Sequence, residues 1–268
     1  MKTSRFWILL LLLTGCATKS EPAKSTSIKD ANACCRRGED YGESGQLNKA
    51  MAEFNKAIEL NPSLARAYYG RGVCYGQQGR PNEAIIEYTK SITLDPTVAG
   101  PYRNRGIEFK RKGDSQKAIA DFTEAIRLDR QALAYFLRGA TYAESGDLDK
   151  AIADFTEAIQ LDPASAKVYH ERATAYQRKH EFDKAIDDYG NALMFNPQYA
   201  LAYCNRGVTY AKKGDLDKAI ADFDEAIRLE PKNADAYQNR GTAHKLKGNK
   251  VMAEADFATV KKLRQETK

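Results

Sequence analysis

A 34-residue period constrains this chain more than any other feature. The dipeptide Arg-Gly, replaced once by Arg-Ala, recurs with its second residue at Gly38, Gly72, Gly106, Gly139, Ala173, Gly207 and Gly241. The spacings are 34, 34, 33, 34, 34 and 34 residues. They divide the chain into seven units: 31–64, 65–98, 99–131, 132–165, 166–199, 200–233 and 234–267. A length of 268 residues would otherwise suggest one or two globular domains. A repeated supersecondary unit instead stacks on its neighbours and has no single central core.

Inside each unit the pattern is that of two helices. A ring stands at unit position 4 (Tyr68, Tyr102, Tyr135, Tyr169, Tyr203, Tyr237) and another at position 11 (Tyr41, Tyr75, Phe109, Tyr142, Tyr176, Tyr210). With the small residue at position 8, these offsets of three and four lie on one helical face. Glycine at position 15 stops the first helix, with His180 as the exception. The second helix carries alanine at position 20 and a ring at position 24, as in Ala118 and Phe122. Small residues at 8 and 20 let the two helices cross closely, and the ring fills the space beside the crossing. Proline at position 32 (Pro62, Pro96, Pro163, Pro197, Pro231) lacks an N–H, so it is expected to end one helix and open the next.

These residues resemble the tetratricopeptide repeat, with small residues at 8, 20 and 27 and rings at 4, 11 and 24. The resemblance covers 31–267. It implies an all-α fold, a right-handed α-solenoid of seven helix-turn-helix units whose first helices line a concave groove. Such grooves usually bind peptides or proteins. Two departures stand out. The third unit is one residue short at Asp129-Arg130-Gln131, where a change of superhelical pitch is expected. The last unit has Glu254 and Lys261 where earlier units are apolar, which reads as a cap on the stack.

Arginine at position 7 (Arg37, Arg71, Arg105, Arg138, Arg172, Arg206, Arg240) and an acid at position 23 (Glu53, Glu87, Asp121, Asp154, Asp188, Asp222, Asp256) occur in every unit. A ligand needs differences between repeats, so residues repeated without change read as a helix-to-helix ion pair. The differences fall at positions 2, 5, 6, 9, 12 and 13, which family geometry points into the groove. Arg36, Arg66, Arg103, Lys110, Arg111, Lys167, Arg178, Lys212 and Lys245 are the bases there. Glu39, Glu43, Glu144, Glu171 and Asp235 are the acids, weighted to the first repeat. Asn104, Asn205, Gln238 and Asn239 supply amides suited to a peptide backbone, and His170 stands at position 5. The expected ligand of the middle and C-terminal groove is an acidic or carboxylate-bearing extended segment. Position 9 holds no Asn, so a chaperone-type carboxylate clamp is not supported.

Catalytic and metal chemistry find no footing. His170, His180 and His244 are scattered, without metal-ligand spacing, and no nucleophile–base set is evident. Gly70, Gly72 and Gly76 faintly echo a phosphate loop but lie inside a first helix. No cofactor and no metal are implied. Cys34 and Cys74 read as buried small residues, and Cys35 or Cys204 as possible groove thiols.

The N-terminus reads MKTSRFWILLLLLTGC. Lys2 and Arg5 precede an unbroken apolar run from Phe6 to Leu13, far short of the about 20 residues needed to span a bilayer. The run ends in Leu13-Thr14-Gly15-Cys16, which resembles the bacterial lipobox. That resemblance implies a signal peptide at 1–15, lipidation of Cys16, and a flexible polar tether over 16–30. Ala17 rather than Asp after the cysteine favours the outer membrane. Charged residues are 29% and apolar residues 43% of the chain, with net charge +6. Removing Lys2 and Arg5 with the signal leaves about +4, too mild to argue for nucleic acid. The expectation is therefore a non-enzymatic envelope scaffold that binds a protein or peptide partner and reaches the membrane through its lipid. A pilotin-like assembly lipoprotein for a pilus or secretion system is the alternative. A helical-repeat nucleic-acid binder and an enzyme are disfavoured by the export signal and by the missing catalytic group.

Overall fold

The computed structural model describes residues 21–266, with side chains over 27–265. The expected signal peptide, Cys16 and the start of the tether lie outside the described residues. Among the described residues there are fourteen α-helices and no strand. They form seven antiparallel pairs: α1 (Glu21–Glu43) with α2 (Leu47–Leu60), α3 (Ala65–Gln77) with α4 (Pro81–Leu94), α5 (Ala99–Arg111) with α6 (Ser115–Leu128), and α7 (Ala132–Glu144) with α8 (Leu148–Leu161). The stack continues with α9 (Ala166–Arg178) and α10 (Phe182–Phe195), α11 (Ala200–Lys213) and α12 (Leu216–Leu229), and α13 (Ala234–Leu246) and α14 (Lys250–Glu266). Each helix packs on its pair partner and on the next helix along the chain. The fold is an all-α tetratricopeptide-type solenoid.

One expectation needs correction at the start. Residues 21–30 belong to α1 rather than to a flexible tether. Past Pro22, which is tolerated in a helix's first turn, the segment has no breaker and carries Ala, Lys and Ile. Ser27 Oγ donates to the Leu60 carbonyl at 2.9 Å, tying this extension to the end of α2.

The turns follow local chemistry. Between the helices of a pair, Gly45, Gly79, Gly113, Gly146, Gly214 and Gly248 take φ from 71° to 89°, the left-handed region that closes a helix. His180 holds the same place at φ 62°, the one non-glycine with positive φ among the described residues. The left-handed conformation costs an L-residue about 1–2 kcal/mol. Part of that is offset because glycine loses more freedom on folding. His180→Gly is therefore expected to raise stability by about 0.5–1 kcal/mol, read as a higher denaturation midpoint. A lower midpoint would mean that the edge-on contact of His180 with Phe182, at 5.6 Å between centroids, outweighs the strain.

Between pairs, the prolines end a helix but do not open the next. α3, α5, α9, α11 and α13 each begin three residues after Pro62, Pro96, Pro163, Pro197 and Pro231. The residue before the proline makes the turn. Asn61, Asp95, Asp162 and Asn196 each accept, through Oδ1, the backbone N–H two residues on, at 3.0 to 3.4 Å. The short loop at Asp129–Gln131 is absorbed locally. α6 and α7 still pack as neighbours, and Arg138 of α7 reaches Thr123 of α6 across the shortened loop.

Buried side chains form four clusters strung along the stack rather than one core. Phe122 shows why position 8 is small: a Cβ on Gly106 would stand 2.7 Å from its ring. Phe54, Phe122, Phe155, Tyr189 and Phe223 are all essentially inaccessible, each wedged beside such a crossing. In the last pair Glu254 and Lys261 are exposed.

Candidate protein-binding groove

The curvature of the stack follows from which helices meet. The first helices touch one another in sequence, α1 with α3, α3 with α5, and so on to α11 with α13. Among the described residues no second helix touches another second helix. The first helices therefore lie on the inside of the curve and form a concave surface.

The repeated arginines do not face that surface as a ligand ladder. All seven pair with the position-23 acid of their own repeat, from Arg37 with Glu53 to Arg240 with Asp256. Arg105 is typical: Nε and Nη2 donate to the two carboxylate oxygens of Asp121 at 2.8 and 2.7 Å. The remaining nitrogen reaches the second helix of the preceding repeat. Arg71 donates to Asn55, Arg105 to Thr89, Arg138 to Thr123, Arg172 to Thr156 and Arg240 to Asp224. Each of these arginines thus bolts three helices together. Arg206 makes only the pair within its repeat, because Gly190 stands where the others have a side-chain acceptor.

Several predicted groove residues are engaged along the stack. Asn104 Nδ2 donates to Tyr69 Oη at 3.2 Å, Asn205 Nδ2 bonds His170 Nε2 at 3.0 Å, and Asn239 Nδ2 donates to Cys204 Sγ at 3.7 Å. Position 6 of one repeat thus holds position 5 of the repeat before it. The three asparagines are first of all inter-repeat ties, which leaves their carbonyl oxygens for a ligand. His170 is buried between the rings of Tyr189 and Tyr199, with centroids at 5.5 and 5.0 Å. His170 Nδ1, 3.5 Å from Glu171 Oε1, with Lys167 and Lys110 nearby, holds the Glu171 carboxyl below the usual range, against the effect of burial.

Most of the bases are also partnered. Arg66 pairs with Glu39, Lys110 with Glu144 at 2.8 Å, and Arg111 with Glu108 at 2.9 Å. Arg103 donates to Gln131 at 2.9 Å and Arg178 to the Ala143 carbonyl at 2.7 Å. Lys167 sits 4.9 Å from the Phe136 ring centroid. Lys212 and Lys245 are exposed and make no ion pair, and Gln238 is half-buried without a side-chain hydrogen bond. Lys212 and Asn239 line a cleft of about 210 Å³ on α11 and α13, with Val208, Thr242 and Leu246.

Two clefts at the other end of the groove went unseen in the sequence. One, of about 230 Å³, lies between the first and second repeats, lined by Gly38, Gly42, Gly70, Phe54, Tyr69 and Val73 among others. The next, of about 180 Å³, contains Gly76, Asn104, Glu108 and Arg111. Gly70 and Gly76, the apparent phosphate-loop echo, are there to make room. A Cβ on Gly70 would run into Phe54 at 2.3 Å, and one on Gly76 would stand 3.0 Å from Glu108 Oε1. The available signal was glycine at position 12 of the first two units (Gly42, Gly76) and at position 6 of the second (Gly70), where later units carry larger side chains.

All four described cysteines are free and buried, so Cys35 and Cys204 do not line the groove as expected. Cys35 is covered by Glu39 and Arg66, and burial first, then Glu39, pushes its thiol up to about 12. Asn239 closes over Cys204. Among the described residues no helix is long and apolar enough to cross a membrane, and no cluster of His, Cys, Asp or Glu is placed to hold a metal ion.

Comparison with known proteins agrees with this geometry. Family models described as tetratricopeptide repeat match residues 65–98, 132–165 and 200–233, as well as 102–131 and 223–255. A further model described as TPR repeat matches 38–79 and 178–214. No curated protein sequence matches the chain. Among solved structures, MamA is similar at 29% identity over 60% of this chain and 95% of its own, with a TM-score of 0.59. YrrB, described as a TPR protein with an unusual peptide-binding site, is 24% identical over 68% of this chain and 95% of its own, with a TM-score of 0.62. Pseudomonas aeruginosa pilF shares the fold at a TM-score of 0.69 and 20% identity, over 79% of this chain and 96% of its own. Tetratricopeptide arrays are in general non-enzymatic scaffolds that bind protein or peptide partners. The periodic small residues, the paired helices and the matches along most of its length make this chain a member of the tetratricopeptide repeat family.

Proposed function

We propose that this protein is a lipid-anchored scaffold of the bacterial envelope, held to a membrane through Cys16, whose concave groove takes an acidic or carboxylate-bearing extended segment of a partner protein. Ala17 supports placement in the outer membrane. The observation that carries the ligand class is the cleft on α11 and α13, where Lys212 and Asn239 stand beside the apolar Val208 and Leu246. Lys212 and Lys245 have no acid of their own, so a ligand carboxylate would meet charge that the fold leaves uncompensated. Asn239 Oδ1, in the same cleft as Lys212, would accept a backbone N–H of the segment. The fold-level likeness to YrrB agrees with a peptide ligand.

Partner capture from detergent-solubilised envelope, followed by titration of the purified partner, tests this reading. Lys212→Glu with Lys245→Glu is expected to weaken binding about tenfold, mainly in association rate. Raising the salt should weaken binding to the unaltered protein as well, since the screening length is about 8 Å at physiological ionic strength. A salt-independent interaction that maps to the second helices would defeat the proposal and move the site to the outer face.

A further inference from the structure

We infer that the groove has a second, cation-accepting subsite in repeats one to three: Glu108 receives a lysine or arginine side chain of the bound segment, and a neighbouring apolar side chain of that segment fills the glycine-lined cleft beside it. The inference rests on the groove-binding reading above and deepens it by assigning the ligand's other end.

Glu108 is the anomaly. Position 10 of the first helices holds an exposed acid, Asp40, in the first repeat, but it is buried in the other six, where apart from Glu108 it is Cys74, Thr141, Ala175, Thr209 or Ala243. Thr141 and Thr209 satisfy their hydroxyls on the backbone of their own helices, at 2.7 and 2.8 Å. A carboxylate cannot do so, having no proton to donate to a carbonyl. Glu108 is 4% exposed; Oε1 accepts from Arg111 Nη1 at 2.9 Å, and Oε2 is buried with no partner. Arginine–carboxylate pairs are frequently bidentate, but this one uses a single oxygen and leaves the other buried and unpaired in a side chain that lines the cleft. An unmet buried acceptor is costly, and a charged donor is the group that restores most.

The surroundings select the donor's sign. The two adjoining clefts share Val73 and Gln77, and between them carry Glu39, Glu43 and Glu108 against Arg111 alone. Counting Arg66, which pairs with Glu39, still leaves an excess of acid. The larger cleft offers Phe54, Tyr69 and Val73, and Gly42 leaves it open, since a Cβ there would meet nothing within 4 Å. Packed helices lie about 8–10 Å apart, a span of about three residues of extended chain. One apolar and one basic side chain about three residues apart would therefore reach both clefts. With Lys212 at the far end, the groove is polarised, and a ligand with opposite charges at its ends is held in one direction.

The test uses fluorescein-labelled decapeptides of Gly and Ser carrying Leu three residues from Lys, with fluorescence anisotropy against the full chain in mild detergent. The expected result is binding that weakens about tenfold when Lys is replaced by Gln. Glu108→Gln should remove that discrimination, whereas Glu144→Gln should keep it. Gly42→Leu fills the larger cleft, so it should cancel the advantage of Leu over Ser in the peptide and preserve the preference for Lys. This second variant keeps the test valid if Glu108→Gln fails to fold. Equal binding of the Lys and Gln peptides, or a preference that survives Glu108→Gln, overturns the subsite. A peptide with Asp in place of Lys separates the two readings. Lys212-dependent binding of that peptide alone leaves the groove reading standing without the subsite. Binding of neither peptide defeats both.

Discussion

Arg138→Ala is expected to lower stability by about 3–5 kcal/mol, the cost of stranding a partly buried charge. Arg138 donates to both carboxylate oxygens of Asp154 at 2.8 Å and to Thr123 Oγ1 at 3.0 Å. The two side chains of the pair are only 18% and 7% exposed. Losing the arginine leaves Asp154 buried without its partner and releases the second helix of the preceding repeat. The double variant Arg138→Leu with Asp154→Leu should recover much of the loss, because replacing both charges by apolar groups removes the stranded one. Urea midpoints of the three proteins check this. An unchanged midpoint for Arg138→Ala, together with lost partner binding, would make the ladder a ligand contact after all.

Cys16→Ser is expected to abolish membrane attachment under the proposed lipidation. Serine offers no thiol for the thioether, so the lipobox-like Leu13-Thr14-Gly15 would lead to no anchor. Burial of acyl chains contributes about 0.8 kcal/mol per methylene. Two or three chains therefore dominate anything the charged surface of the array could supply. Mass spectrometry and envelope fractionation decide the matter: unchanged mass and unchanged sedimentation with the membrane would remove the lipid from the account and leave the groove chemistry as it stands.

What was legible in the sequence was what depends on short spacing. The helix pairs, the glycine turns and the ring of Phe122 against Gly106 all follow from residues within one unit, where period and residue size suffice. The Arg–acid pair was legible because identical residues in identical places must serve the repeat itself. Contacts between units were not. Glu108 fits only because Gly76 is absent as a side chain one repeat earlier, and that register appears only once the first helices are stacked. Cys35 and Cys204 were misplaced for the same reason, since the covering Arg66 and Asn239 come from the following repeat. The tether failed differently. A polar composition over residues 21–30 suggests a flexible tether, whereas its residues are mostly compatible with a helix that continues into α1.

The missing bolt at Gly190 has a mechanical consequence. At the joint between α10 and α11 the outer tie from Arg206 is absent. The inner tie is reinforced there: Asn205 bonds His170, and Gln177 donates to Thr209 Oγ1 at 2.6 Å. The joint stays packed, with Tyr189, Ala192 and Leu193 of α10 clustered against Ala202 of α11, but it lacks one polar fastening on its outer edge. Strain on the array is therefore expected to open this outer edge first, ahead of the joints that Arg172 and Arg240 fasten to Thr156 and Asp224, and the last two repeats carry Lys212 and Lys245 with them. Opening there would lengthen the path from the clefts of the first repeats to Lys212, and with it the length of segment that the proposed groove could take.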